Sequence, residues 1–166
     1  CRNANDGMAS GLEIERRKAI TDNLKVAVNG SYMYTDVRLP SDGAYTNKER
    51  ALQGASPYLL NADITYSPSL GGDRQLNIAL LYNLQGPRIH AVGISGLGDV
   101  IQKPVHTLNF VASCRFSRNS TLKFKLTDML NQPMVFMQEV PQKGTSVEVE
   151  RYRTGIGFEI GYSLNF

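Results

Sequence analysis

Arg151-Tyr-Arg-Thr-Gly-Ile-Gly-Phe-Glu-Ile-Gly-Tyr-Ser-Leu-Asn-Phe166 sets Tyr152, Ile156, Phe158, Ile160, Tyr162, Leu164 and Phe166 against Gly155, Gly157, Glu159, Gly161, Ser163 and Asn165. Successive side chains of a strand point to opposite faces, so one face here is wholly apolar and the other is small or polar. Half-buried strands of a soluble sheet alternate in the same way. Two features favour a lipid-facing wall: aromatic residues crowd toward the strand ends, and the sequence finishes on the apolar face instead of in a polar tail.

A chain of 166 residues is expected to form one unit, residues 1–166, with no sign of a second domain. Its 42% hydrophobic and 20% charged content, with a mean hydropathy of −0.26, reads as an ordinary soluble protein. No stretch approaches the roughly eighteen apolar residues of a membrane helix. A membrane strand, however, shows only half its residues to lipid and carries a weak signal per segment. The net charge of +3 is small and dispersed, which sets nucleic acid aside as a partner. The two cysteines, Cys1 and Cys114, form no CxxC pair. Cys114 falls on the apolar side of its strand and reads as a small buried hydrophobe. Cys1 reads either as the lipidated first residue of a mature lipoprotein or as the start of a fragment, and the strand pattern that follows favours the fragment.

Alternation bounded by Gly, Pro, Asn, Asp and Ser clusters predicts about seven antiparallel strands in up-and-down order. They fall over residues 11–17, 24–37, 58–67, 75–84, 105–116, 121–127 and the final stretch, which starts as early as Val147. The sixth is interrupted at 128–133 and resumes over 134–140 after a bulge. Short reversals at 20–23, 68–73 and 117–120 alternate with long segments at 38–56 and 85–104. Short connections on one side and long ones on the other are the asymmetry of a transmembrane barrel. Tyr66, Phe116, Tyr162 and Phe166 lie toward the short-turn ends, and Tyr32, Tyr34, Tyr58, Tyr82 and Tyr152 toward the others, as two aromatic girdles would.

The non-apolar face carries Glu13, Glu15, Arg17, Lys25, Asp63, Arg115, Lys123, Lys125 and Glu159. Unpaired charges of this kind cannot be buried cheaply, so the face must meet water or an ion-paired partner. A wide lumen supplies that, and the mixture of signs suits a lumen occupied by another folded element better than a selective pore. No catalytic constellation is present: His90 and His106 are the only histidines, and there is no GxSxG. The chain is therefore expected not to be an enzyme. Met129, Met134 and Met137 read as packing instead of a soft-metal site, and Gly93, Gly96 and Gly98 make no phosphate loop. No metal or cofactor is expected. The long segments 38–56 and 85–104 are the zones for ligand contact, with Arg88, His90 and Tyr45 as candidates.

Five stretches carry a resemblance: Gly11-Leu-Glu-Ile-Glu-Arg-Arg17, Ala51-Leu-Gln-Gly-Ala-Ser-Pro-Tyr-Leu-Leu-Asn61, Leu80-Leu-Tyr-Asn-Leu-Gln-Gly-Pro-Arg-Ile89, Lys123-Phe-Lys-Leu-Thr-Asp-Met-Leu-Asn-Gln-Pro133 and Tyr162-Ser-Leu-Asn-Phe166. Together they resemble the C-terminal part of the β-barrel of TonB-dependent outer-membrane receptors, in which a motif like Thr127-Asp-Met-Leu-Asn131 precedes the final strand. The resemblance implies an all-β fold, an antiparallel meander belonging to a large transmembrane β-barrel of the cell outer membrane. It further implies uptake of a scarce, large ligand such as a metal chelate, cobalamin or a glycan. The implied partners are outer-membrane lipid, the remaining barrel strands, an N-terminal plug domain facing the nine charged residues, and the TonB energy-transducing complex acting through that plug. The barrel-assembly machinery would read Tyr162, Leu164 and Phe166. Neither plug nor TonB box is found in this sequence, so the chain is expected to be only the last third of the wall. Two other readings stand beside it: a surface-anchored lipoprotein or binding module with a soluble β-sandwich, and a complete small barrel, for which a further strand within 44–56 would give the even number that closure requires.

Overall fold

The computed structural model describes residues 6–39 and 45–165 and is an antiparallel all-β structure. Its strands are β1 (Asp6–Ala19), β2 (Leu24–Arg38), β3 (Glu49–Arg50), β4 (Tyr58–Tyr66), β5 (Gln75–Gln85), β6 (Arg88–Ala91), β7 (Val100–Gln102), β8 (Val105–Arg115), β9 (Ser120–Thr127), β10 (Met134–Val140), β11 (Thr145–Tyr152) and β12 (Gly157–Leu164). One 3₁₀ turn, Pro141–Lys143, joins β10 to β11.

The strands form two sheets. The larger runs β1-β2-β4-β5-β8-β9-β12, with the two-residue β3 paired to β2; the smaller runs β6-β7-β10-β11. The seven expected strands are therefore seven staves, four of which are broken into two. β5 and β6, β7 and β8, β9 and β10, and β11 and β12 are separated by short joints, and both sheets keep the same order of staves. Proline explains three of the joints, because Pro87, Pro104 and Pro133 have no N–H to give a ladder. The fourth holds Gly155 at φ +84°. The interruption at 128–133 and the resumption at Met134 agree with the sequence reading, but the six residues leave the ladder altogether and form a turn instead of the expected bulge. The other three were hidden in segments whose alternation runs through or whose composition reads as loop.

The joint at 128–133 replaces lost ladder bonds with side chains. Gln132 accepts from the His106 N–H at 2.9 Å through Oε1 and donates to the Pro104 carbonyl at 3.4 Å through Nε2. Asn109 Oδ1 accepts from the Asp128 N–H at 2.9 Å, and the Thr154 hydroxyl donates to Asp128 Oδ2 at 2.7 Å. Asp128 and Asn131 take left-handed conformations, φ 52° and 43°, which Asp and Asn tolerate better than most residues.

Within the larger sheet only Val105 is buried, so neither of its faces packs against a second layer as a soluble sandwich requires. Its edges, β1 and β12, do not pair with each other and the sheet is not closed. The buried residues gather where the smaller sheet meets the two long loops: Ile89, Val135 and Phe136, with Ser56, Asp99 and Gln102 among them.

Candidate functional site

The register of the larger sheet brings all nine charged residues of the non-apolar face to one side. One row reads Ala19, Lys25, Thr65, Ala79, Val111, Lys125 and Glu159, and places Lys125 directly opposite Glu159. Glu15 and Arg17 pair at 2.5 Å, and the Arg115 guanidinium donates to the Asp73 carbonyl at 3.1 Å. An open cleft of about 540 Å³ lies among Glu15, Arg17, Lys25, Asn29, Asn61 and Asp63.

The same face carries a ladder of side-chain amides. Asn83 donates to Asn61 at 2.6 Å, Asn61 to Asn29 at 3.2 Å, and Asn29 to Glu13 at 2.6 Å. Every bond points the same way and the series ends on a carboxylate, the arrangement in which each bond polarises the next. Alternation alone puts Asn29, Asn61 and Asn83 on the polar side of their strands but does not join them. The signal was one Asn at matching height on three successive staves.

The two long loops are zipped together. Thr46 N–H donates to the Gly93 carbonyl at 3.1 Å and Gly54 N–H to the Ile89 carbonyl at 2.9 Å. At their centre Asp99 accepts from the Gly93 N–H at 2.7 Å, from Asn47 Nδ2 at 3.2 Å and from Arg50 Nη1 at 3.4 Å. The paired side chains are 10% (Arg50) and 6% (Asp99) exposed, so the ion pair is nearly dry and depends on these extra donors to offset its desolvation. Gly93 is required here, since a Cβ would collide with the Leu97 carbonyl. Sequence reading missed this pair, because Arg50 and Asp99 lie in unpatterned loops far apart in the chain.

Of the three ligand candidates, Tyr45 lies under the Arg50 guanidinium, 5.7 Å from its ring centroid. His90 is exposed, edge-on to Phe136 at 4.7 Å, and Phe136 in turn stacks on Tyr152 at 5.8 Å. Arg88 hydrogen-bonds Gln102 Oε1 at 2.7 Å. Arg88 lines an open cleft of about 510 Å³ that also touches Tyr32, Thr35, Arg50 and Ala55; Tyr45 and His90 do not line it. The loop cluster thus holds all three candidates without bringing them to one pocket.

On the apolar face, Tyr162 reaches the Ser120 hydroxyl at 3.2 Å and Leu164 ends β12, while Phe166, like Cys1, lies outside the described residues. Cys114 is on this face, free among the described residues, and half-exposed instead of buried. Tyr82 Oη and His106 Nδ1, 2.6 Å apart, share its upper end. A bulge on β11 brings Glu148 and Arg151 together through two bonds of 2.7 Å, and this guanidinium holds the Glu148 carboxyl below the ordinary carboxylate range. Among the described residues no group of three His, Cys, Asp or Glu is placed to hold a metal, and no helix is long and apolar enough to cross a membrane. No protein-family model, curated protein or solved structure matches the chain.

Proposed function

We propose that the chain is a wall segment of a large outer-membrane β-barrel of the TonB-dependent receptor kind, and that the whole barrel takes up a scarce, large ligand from outside the cell. The observation that carries this reading is the sidedness of the larger sheet. Val26, Ile64, Leu80, Phe110, Leu126 and Phe158 form one apolar row across six staves, and Leu24, Tyr66, Ile78, Ala112, Phe124 and Ile160 form the next. The opposite side is the charged face. Apolar outside with polar inside is what a barrel in lipid requires of its strands.

The stagger of the staves supports the same reading. The first of these rows continues to Lys18, one residue from the lower end of β1, and meets β12 at Phe158, six residues from its lower end. Between them the distance never decreases: two residues on β2 and β4, five on β5 and β8, six on β9. Five residues over six inter-strand steps, at about 3.3 Å and about 4.8 Å each, is a slope of roughly 30°, close to the tilt of barrel strands. The slope also accounts for two of the three cations on the apolar side of the larger sheet, Arg16 and Lys18, the third, Arg38, standing at the upper end of β2. The first two lie near the foot of β1, where a long cationic side chain reaches the headgroups. Tyr58 and Tyr66 bracket β4 at a separation of roughly 26 Å along the strand, matching an apolar band about 25 Å tall.

Single cysteines placed along β5 in the full-length protein, with Cys114 replaced by Ser, test the reading in bilayers. A membrane-impermeant maleimide should label positions 77, 79, 81 and 83 and spare 76, 78 and 80. Uniform labelling along the strand would sink the proposal.

A further inference from the structure

The polar face does not stay polar along its whole height. Below, it carries the amide ladder and the charged rows. One row above the ladder it reads Glu13, Ser31, Leu59, Gln85 and Val105, and the next places Gly11 opposite Met33. Beside Met33 opens the cleft of about 510 Å³, which both faces of the upper part of β2, Tyr32 to Asp36, border together with Ala51, Pro57, Pro87, Ile89 and Ile101. Its size is that of small-molecule sites, which are mostly apolar with a few polar groups that orient the ligand.

The lining holds two carboxylates and two arginines, and of these four only Arg88 lacks an ionic partner among the described residues. Asp36 and Glu49 both pair with Arg38, at 4.0 and 3.4 Å, and Arg50 is held by Asp99. Arg88 has only the neutral Gln102 amide; among the described residues no carboxylate lies within salt-bridge distance of it. The Gln102 bond engages Nε and leaves the guanidinium's remaining donors for a planar acid group, the geometry at which arginine excels.

We propose that the upper cleft binds a small amphipathic organic anion, its apolar body against Ile89 and Ile101 and its acid group at Arg88. This site goes beyond the transport reading, whose ligand is large, and rests on it only in taking the cleft to open toward water.

The test is methyl NMR of the full-length protein in bilayer nanodiscs, with phenylacetate, phenylacetamide and phenethylammonium as probes. Phenylacetate should shift the methyls of Ile89 and Ile101 and leave Ile64 and Ile78 unmoved. Arg88→Gln should weaken phenylacetate about tenfold while changing phenylacetamide by less than about twofold, and Arg88→Lys should retain the preference for the anion. Ala55→Trp, which fills the cleft, should abolish both. Equal binding of anion and cation, no loss in Arg88→Gln, or shifts spread over Ile64 and Ile78 would overturn the assignment. A nitroxide on phosphatidylcholine broadens Ile64 and Ile78 if the wall faces lipid, so failure of the cleft and failure of the membrane reading give different spectra.

Discussion

The larger and smaller sheets are built on the same staves, yet they handle apolar surface in opposite ways. In the larger, Phe158 is 77% exposed and Leu12 and Ile160 each 66%, and one buried side chain, Val105, stands for a core. In the smaller, Phe136 is 2% exposed, packed between His90 and Tyr152, and a nearly dry ion pair ties the loops above it. Only the edge strand β11 stays as open as β12 below it, and a chain that alters its packing rule at the other three joints is one whose surroundings alter there. Below the joints the missing apolar partner is lipid in our reading; above them the chain meets water and builds its own interior.

This contrast breaks first at Asp99. Asp99→Ala leaves the Arg50 guanidinium buried without its counter-ion and should cost about 3–5 kcal/mol. Hydrogen exchange should accelerate at 45–50, at 93–99 and at the upper end of β2 that pairs with β3, and stay unchanged in β1, β4 and the rest of β2; loss of protection throughout would mean the two regions are not separate. Next comes a pair of neighbours in β5 that differ only in face. Leu80→Arg should cost about 2–4 kcal/mol of stability in bilayers, measured by denaturant titration, and Leu81→Arg much less. Equal costs would remove the sidedness on which the membrane reading depends. Phe110→Arg should follow Leu80, its neighbour in the row, while Lys125→Ala should be mild.

Smaller effects sharpen the picture. Asn61→Leu removes two bonds of the amide ladder and should cost about 0.5–1.5 kcal/mol, without disturbing the loop cluster. The Glu148 carboxyl should titrate below the ordinary glutamate range and return toward it in Arg151→Gln, as read by carboxyl NMR. The sign follows from that direction: the pair is intact above the ordinary value and is lost as pH falls through the depressed one. A titration unchanged in Arg151→Gln would mean that another group holds it down.

Much of the larger sheet was legible because its alternation has period two and its turns carry Gly, Asn, Asp and Ser. Thr21 acts in the same way beside Asp22 and Asn23: its hydroxyl accepts from the N–H groups of Asn23 and Leu24 and closes the first reversal. The stretches 85–104 and 38–56 were read as loop because three- and four-residue strands are too short to display a period, and β3 has only two residues. The break before Gly157 was invisible because Tyr152 and Ile156 keep an even spacing across it. Asp99 was out of reach of any pattern, since its partners come from 93, 47 and 50 and meet only after the loops have folded. The nine charges were legible one by one, but how they are shared was not: Arg17 binds its own strand neighbour, whereas Glu13 receives an amide from the next stave.

The amide ladder bears on a problem that faces do not solve. A stave slipped by one residue turns its apolar side the wrong way and is rejected at once, but a slip of two keeps every side chain on its proper face. Glu13, Asn29, Asn61 and Asn83 each occupy a single position on four adjoining staves, so their chain of bonds closes at one alignment and opens at all others. It acts as the index mark of a vernier scale, telling correct assembly apart from the near-misses that hydrophobicity alone would accept.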